Sequence, residues 1–264
     1  MKIGFIGCGN MASAMIGGIL DSGSASGEEV MASARSASTR RKIREELKIR
    51  LGEDNRQVAE FAHILFLAVK PQYYEEVIQE IKDCVSTDTL VVSIAPGKTL
   101  QWLKEQFGRA LKIARAMPNT PAMVKEGMTG LCANDLVTEE ELEQVISLIR
   151  CFGRAQVVPE HLMDVVPGVS GSSPAYVFLF IEALADGAVA EGMPRAQAYE
   201  FAAQAVLGSA KLMLETGMHP GALKDMVCSP GGTTIEAVEV LEEKGFRSAV
   251  IAAERACIRK SREM

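Results

Sequence analysis

The chain has 264 residues, 48% hydrophobic and 23% charged, which is ordinary for a soluble globular protein with room for a sizeable core. Its formal charge of −6 disfavours nucleic acid or an anionic membrane as partner, because both need clustered positive charge. Six cysteines without a C-x-x-C pair read as reduced thiols in a cytoplasmic protein, and three scattered histidines give no metal-ligand spacing, so no metal is expected.

Residues 2–6 form a short apolar strand that runs directly into Gly7, and 10–20 carry small and apolar residues at helical spacing. A second strand is predicted over 30–33, then a charged amphipathic helix over 38–49 with Ile43 and Leu47 on one face. Residues 63–69 read as a third strand, apolar after its first residue, as suits a strand buried on both faces. Helix 73–84, strand 89–95, helix 100–107 and strands 111–117 and 128–133 follow. Thr138, with Glu141 three residues on, opens a further helix through a capping box, and strand 156–158 closes the series. This alternation predicts an α/β fold with a doubly wound, mostly parallel Rossmann sheet over 1–159.

After Pro159 the pattern changes to helices alone: 173–191, 196–215, 220–227, 235–243 and 248–263. Residues 160–264 are therefore expected to form an all-helical second domain. Its wide apolar faces point to burial against a partner subunit. The apolar run 175–181 is followed by Glu182 and Asp186, so it is not expected to span a bilayer.

Gly7-x-Gly9-x-x-Ala12 follows the first strand and opens the first helix. The first glycine allows a tight turn, the second lets a pyrophosphate approach the backbone, and the small third residue lets helix and strand pack closely. A tight turn without a ligand is the plain alternative. The second strand ends in Ser33-Ala34-Arg35, where an NAD binder usually carries a carboxylate. Hydroxyls and a guanidinium in its place favour NADP, with NADPH preferred over NADH. Ala68-Val69-Lys70-Pro71 ends the third strand, where a cofactor ribose or nicotinamide would lie. Asn119, between two prolines, is placed to bond the same part of the cofactor.

Near the C-terminus, Ser229-Pro230-Gly231-Gly232-Thr233-Thr234 joins two glycines to three hydroxyls just before a helix. Such a turn aims N–H groups and hydroxyls at an anion. Plain helix capping by the threonines is the alternative.

These motifs together resemble the pyrroline-5-carboxylate reductase family over nearly the whole chain. The resemblance rests on residues 4–12, Ala68-Val69-Lys70-Pro71-Gln72, Met117-Pro118-Asn119-Thr120-Pro121, Gly171-Ser172-Ser173-Pro174-Ala175-Tyr176 and, most specifically, Ser229 to Ile235 with Gly245-Phe246-Arg247. It implies hydride transfer from NAD(P)H to the C=N carbon of 1-pyrroline-5-carboxylate, giving L-proline. It also implies cofactor contacts at Ile6, Gly7, Cys8, Gly9, Asn10, Met11, Ser33, Asn55, Ala68, Val69, Lys70 and Asn119, beside the Arg35 already singled out. Ser229, Gly232, Thr233 and Thr234 would cradle the substrate, Glu160 would reach it, and Thr234 would bond the ring nitrogen unless the substrate arrives as the iminium. Family members are homodimers, often assembled into decamers, with one subunit's cradle facing the nucleotide of its partner. Pro96, Ser173 and Gly217 depart from the family's usual residues. A 3-hydroxyacid-dehydrogenase-like enzyme is a competing reading, but it needs a lysine that helix 173–191 lacks. A non-catalytic NADP-binding protein is the other, and it needs no second anion site.

Overall fold

The structure, a computed structural model, describes residues 1–263. It contains two compact units. One is Met1–Ser172 with the chain's end from Cys257, and the other is Ser173–Ala256.

The first unit runs β1 (Ile3–Ile6), α1 (Asn10–Asp21), β2 (Val30–Ser33), α2 (Ala37–Glu45), β3 (Arg50–Leu51), α3 (Asn55–Phe61) and β4 (Ile64–Leu67). It continues through α4 (Tyr74–Ile81), β5 (Leu90–Ser93), α5 (Leu100–Phe107), β6 (Lys112–Met117), β7 (Gly127–Ala133), α6 (Glu139–Arg150) and β8 (Gly153–Val157). The eight strands form one sheet in the order β3-β2-β1-β4-β5-β6-β7-β8. β7 runs antiparallel to β6, and every other neighbouring pair is parallel. The connection reverses direction between β1 and β4. A ligand crevice of such sheets lies at the C-terminal ends of those strands.

β1, β2, β4 and β5 are buried along their whole length, as their apolar runs require. One face of the sheet packs Phe5, Phe66 and Val92 against Met15, Ile19 and Val145 of the helices, with the Phe5 and Phe66 rings stacked 4.8 Å apart. The other packs Ile6, Leu65 and Leu67 against Val58, Ile78 and Leu103.

Two local differences from the expected elements have clear causes. The helix predicted over 38–49 ends at Glu45, because Lys48 takes a left-handed φ of 53°. The chain then forms β3 at the sheet edge. Helix α3 was not foreseen, since only Val58 and Ala59 of its seven residues are buried. Asp54 caps it by accepting from the Gln57 N–H at 2.8 Å.

The Thr138–Glu141 capping box forms as expected. Glu141 also receives Lys112 Nζ at 2.6 Å, and this bond together with the cap N–H holds its carboxyl below the usual value of 4.5. A depressed carboxyl stabilises the fold above its unfolded value, and that stabilisation is lost as pH falls through the folded one. Glu141→Gln keeps the cap and loses the ion pair. It should lower stability at pH 7 by about 0.5–1 kcal/mol. In urea melts that deficit should shrink as pH drops below 4.5.

The second unit holds α7 (Ser173–Ala190), α8 (Arg195–Thr216), α9 (Pro220–Val227), α10 (Thr233–Glu243) and the first part of α11 (Phe246–Arg262). α7 and α8 pack together. Ala185, Ala198 and Ala202 are buried, while Phe178 and Phe201 are 64% and 69% exposed. An open apolar groove of about 520 Å³ is lined by Tyr176, Leu179, Phe180, Leu241, Phe246 and Val250, among others. Helix Pro167–Ala190 holds an 18-residue stretch of mean hydropathy 1.3 and is long and apolar enough to cross a membrane by length and composition. Glu182 and Asp186 therefore do not by themselves rule out a span, contrary to the sequence expectation.

Candidate functional site

At the end of β1 the turn is fixed by Gly7 N–H donating to Ser33 O at 3.2 Å and Ala68 N–H donating to Ile6 O at 2.8 Å. These bonds bring the ends of β1, β2 and β4 together. Gly7 has φ 89°, and a Cβ there would lie 2.8 Å from Val69 Cγ1 and 2.9 Å from the Ala68 carbonyl. At Gly9, the N-cap of α1, a Cβ would meet nothing within 4 Å, and no side chain caps the helix. The first-turn N–H groups of α1 thus face open space, which fits a pyrophosphate. Gly7→Val should weaken dinucleotide binding by roughly 10- to 100-fold, since backbone strain of about 1–3 kcal/mol adds to the collision. Titration of NADPH into the variant, with a thermal melt as folding control, checks this.

A cleft of about 260 Å³ opens beside the turn, lined by residues that include Gly7, Ser33, Arg35, Asn55, Val69 and Tyr73. Five of the expected cofactor residues therefore share one cavity. Ile6 and Cys8 are buried, and could offer a ligand only their backbone. Burial also pushes the Cys8 thiol up. Asn10 and Lys70 are exposed, and Met11 and Ala68 are half-buried. Asn119 lies apart from the cleft. Its Nδ2 donates to Ser170 O at 2.9 Å and its Oδ1 accepts from Met128 N–H at 2.8 Å, so its amide is engaged by the protein at both ends.

Sequence reading missed the carboxylates of this cleft. Glu53, Asp54, Glu76 and Glu80 line it beside Arg35 and Arg40. Arg35 stacks over the Tyr73 ring at 5.0 Å and lies 3.9 Å from Glu76 Oε1. Glu76 and Glu80 come from α4, four residues apart and so on one helical face. That spacing was the available signal.

Glu160 is held through one of its two carboxylate oxygens. Its Oε1 accepts from the Leu100 N–H at 2.7 Å and from Arg115 Nη1 at 2.9 Å. This is a structural tie, because Arg115 is 3% exposed and needs a counter-charge, while Glu160 Oε2 carries no hydrogen bond among the described residues. The Arg115 Nε and Nη2 atoms are buried without a partner among the described residues. Burial raises the neighbouring Cys132 thiol to about 11.

In the second unit, Gly231 takes φ 66° and Gly232 is the N-cap of α10. A Cβ on Gly232 would come 2.5 Å from Ser229 Oγ, so a larger residue would push that hydroxyl aside. Gly232 N–H donates to Ser229 O at 3.0 Å, which removes it from the expected carboxylate donors. The first-turn N–H groups of α10, from Thr233 and Thr234 onward, are open to a ligand instead. Ser229 and Thr233 are exposed and Thr234 is half-buried, and their hydroxyls have no partner among the described residues. Gly217 caps α8 in a left-handed conformation, φ 65°, which an acidic side chain there would strain.

Comparison with known proteins places the chain in a family. A family model described as pyrroline-5-carboxylate reductase dimerisation matches residues 160–264, and one described as NADP oxidoreductase, coenzyme F420-dependent, matches residues 2–97. The pyrroline-5-carboxylate reductase of Escherichia coli (strain K12) is 56% identical, covering 100% of this chain and 98% of its own. That of Methanosarcina acetivorans is 43% identical, covering 100% and 97%. A solved pyrroline-5-carboxylate reductase from Coxiella burnetii superposes with a TM-score of 0.93 at 36% identity, covering 99% of this chain and 97% of its own. The Plasmodium falciparum pyrroline carboxylate reductase, solved with NADP bound, gives 0.89 at 31% identity over 100% and 97%. At such identity along its whole length, the chain belongs to the pyrroline-5-carboxylate reductase family.

Proposed function

We propose that this chain reduces the C=N bond of 1-pyrroline-5-carboxylate to L-proline with NAD(P)H, the last step of proline biosynthesis. The observation that carries this reading is the Ser229–Thr234 turn, with its free hydroxyls and open first-turn N–H groups at the start of α10. An anion cradle of this kind suits a carboxylate held beside a polar ring atom. A dehydrogenase of hydroxy acids would need a catalytic lysine, and α7 has none.

The dinucleotide supplies the hydride when bound. Gly9, Asn10 and Met11 would hold its pyrophosphate through backbone N–H groups, with Gly7 keeping the turn clear of a side chain. Ser33, Arg35 and Asn55 would hold the adenosine ribose, and Arg35 with Arg40 favours NADPH over NADH. The backbone of residues 68–70 would line the nicotinamide side. Thr233 and Thr234 N–H groups would anchor the substrate carboxylate, each charge-assisted bond contributing roughly 1.5–3 kcal/mol. The Thr234 hydroxyl would bond the ring nitrogen, and little further acid–base chemistry is required of the protein.

The chain acts as a homo-oligomer on a small-molecule substrate. The exposed apolar faces of α7 and α8 support burial in a homodimer. Decamers as the larger assembly and a cytoplasmic setting belong to the same reading, carried by the family resemblance. The same burial accounts for an apolar α7 without a bilayer. In the dimer, the cradle of one subunit would serve the nucleotide of its partner. The test is direct: NADPH absorbance should fall only when 1-pyrroline-5-carboxylate is added. No consumption, with NADPH binding confirmed separately, would sink the reading.

A further inference from the structure

The cleft at the end of β2 contains a hydrogen-bonded relay whose direction is fixed. Asn55 Nδ2 donates to Glu80 Oε2 at 2.6 Å, and Asn55 Oδ1 lies 2.7 Å from Ser33 Oγ. A carboxylate only accepts, so the amide nitrogen must face Glu80 and the amide oxygen must face Ser33. That oxygen also only accepts, so the single proton of the Ser33 hydroxyl is committed to it. Ser33, at the C-terminal end of β2, then offers only lone pairs to a ligand in the cleft. A ribose hydroxyl can donate to such an oxygen. A phosphate cannot, and is repelled by it. The surroundings push the same way, because the cleft sets four carboxylates against two guanidiniums.

We propose that Glu80 is a positioning residue for cofactor specificity. Through Asn55 it holds the Ser33 hydroxyl as an acceptor for a free ribose 2′-hydroxyl, and so moderates the preference for NADPH that Arg35 and Arg40 set. The proposal rests on the dinucleotide-binding reading above. It assigns to Glu80, acting through Asn55, the balance between NADH and NADPH.

In Glu80→Gln the side-chain amide can meet Asn55 in either sense, so Asn55 can turn and free Ser33 to donate. NADPH should bind more tightly and NADH more weakly. The ratio of their Kd values should move toward NADPH by about fivefold, the size of one net hydrogen bond. The probes are NADPH and NADH, titrated by nicotinamide fluorescence without substrate, with thermal melts confirming folded protein. A double-mutant cycle separates the relay from simple charge removal. In a Ser33→Ala background, Glu80→Gln should move the ratio by clearly less, leaving only the effect of the lost charge. An equal change in both affinities, an unmoved ratio, or the same ratio change without the Ser33 hydroxyl would overturn the role of Glu80. Wild-type protein that binds neither dinucleotide would overturn the underlying reading instead.

Discussion

Thr234→Ala should lower kcat/KM for 1-pyrroline-5-carboxylate by about 10- to 150-fold, the range of one hydrogen bond to a charged group. NADPH affinity should stay as in the wild type, since Thr234 belongs to the second unit and the nucleotide cleft to the first. The fold should hold, because Gly232, not Thr234, is the N-cap of α10 and no side chain caps it. Helix capping alone therefore predicts no kinetic effect, which separates the two roles. Steady-state kinetics over a range of substrate, beside an NADPH titration, gives the answer. Unchanged kinetics would remove Thr234 from the mechanism.

The second large effect concerns stability. Glu160→Ala should destabilise the protein by about 3 kcal/mol, because it leaves the Arg115 guanidinium buried without its counter-charge. The Leu100 N–H at the start of α5 also loses its acceptor. Replacing both partners with apolar residues, Arg115→Met with Glu160→Leu, should recover much of that loss, as an apolar pair removes the buried charge altogether. Urea denaturation midpoints of the wild type and the two variants would show the order. A double variant no better than Glu160→Ala would mean that shape, and not charge, sets the cost.

Most of the sheet was legible in the sequence. Ile64 to Leu67 is apolar at every position, and only a strand covered on both faces explains that. Helix α5 matches its predicted span, because Thr99 caps it through the Trp102 N–H and Gly108 ends it at φ 67°. Helix α3 was hidden by its polar residues. The Ser229–Thr234 turn was visible because its glycines and hydroxyls are contiguous, but the commitment of the Gly232 N–H to Ser229 O was not. The partners of Arg35, Asn55 and Glu160 were also out of reach. Glu76 and Glu80 arrive from α4, and Arg115 from a strand 45 residues before Glu160. Such pairs are set by strand order, which local periodicity does not encode.

The most direct measurement uses NADPH carrying deuterium at the transferable C4 position of the nicotinamide, incubated with the protein and 1-pyrroline-5-carboxylate. Mass spectrometry of the product should find L-proline one mass unit heavier, with the label at ring C5. Proline without the label, or no proline while NADPH is oxidised, would contradict direct hydride transfer to the ring C=N carbon.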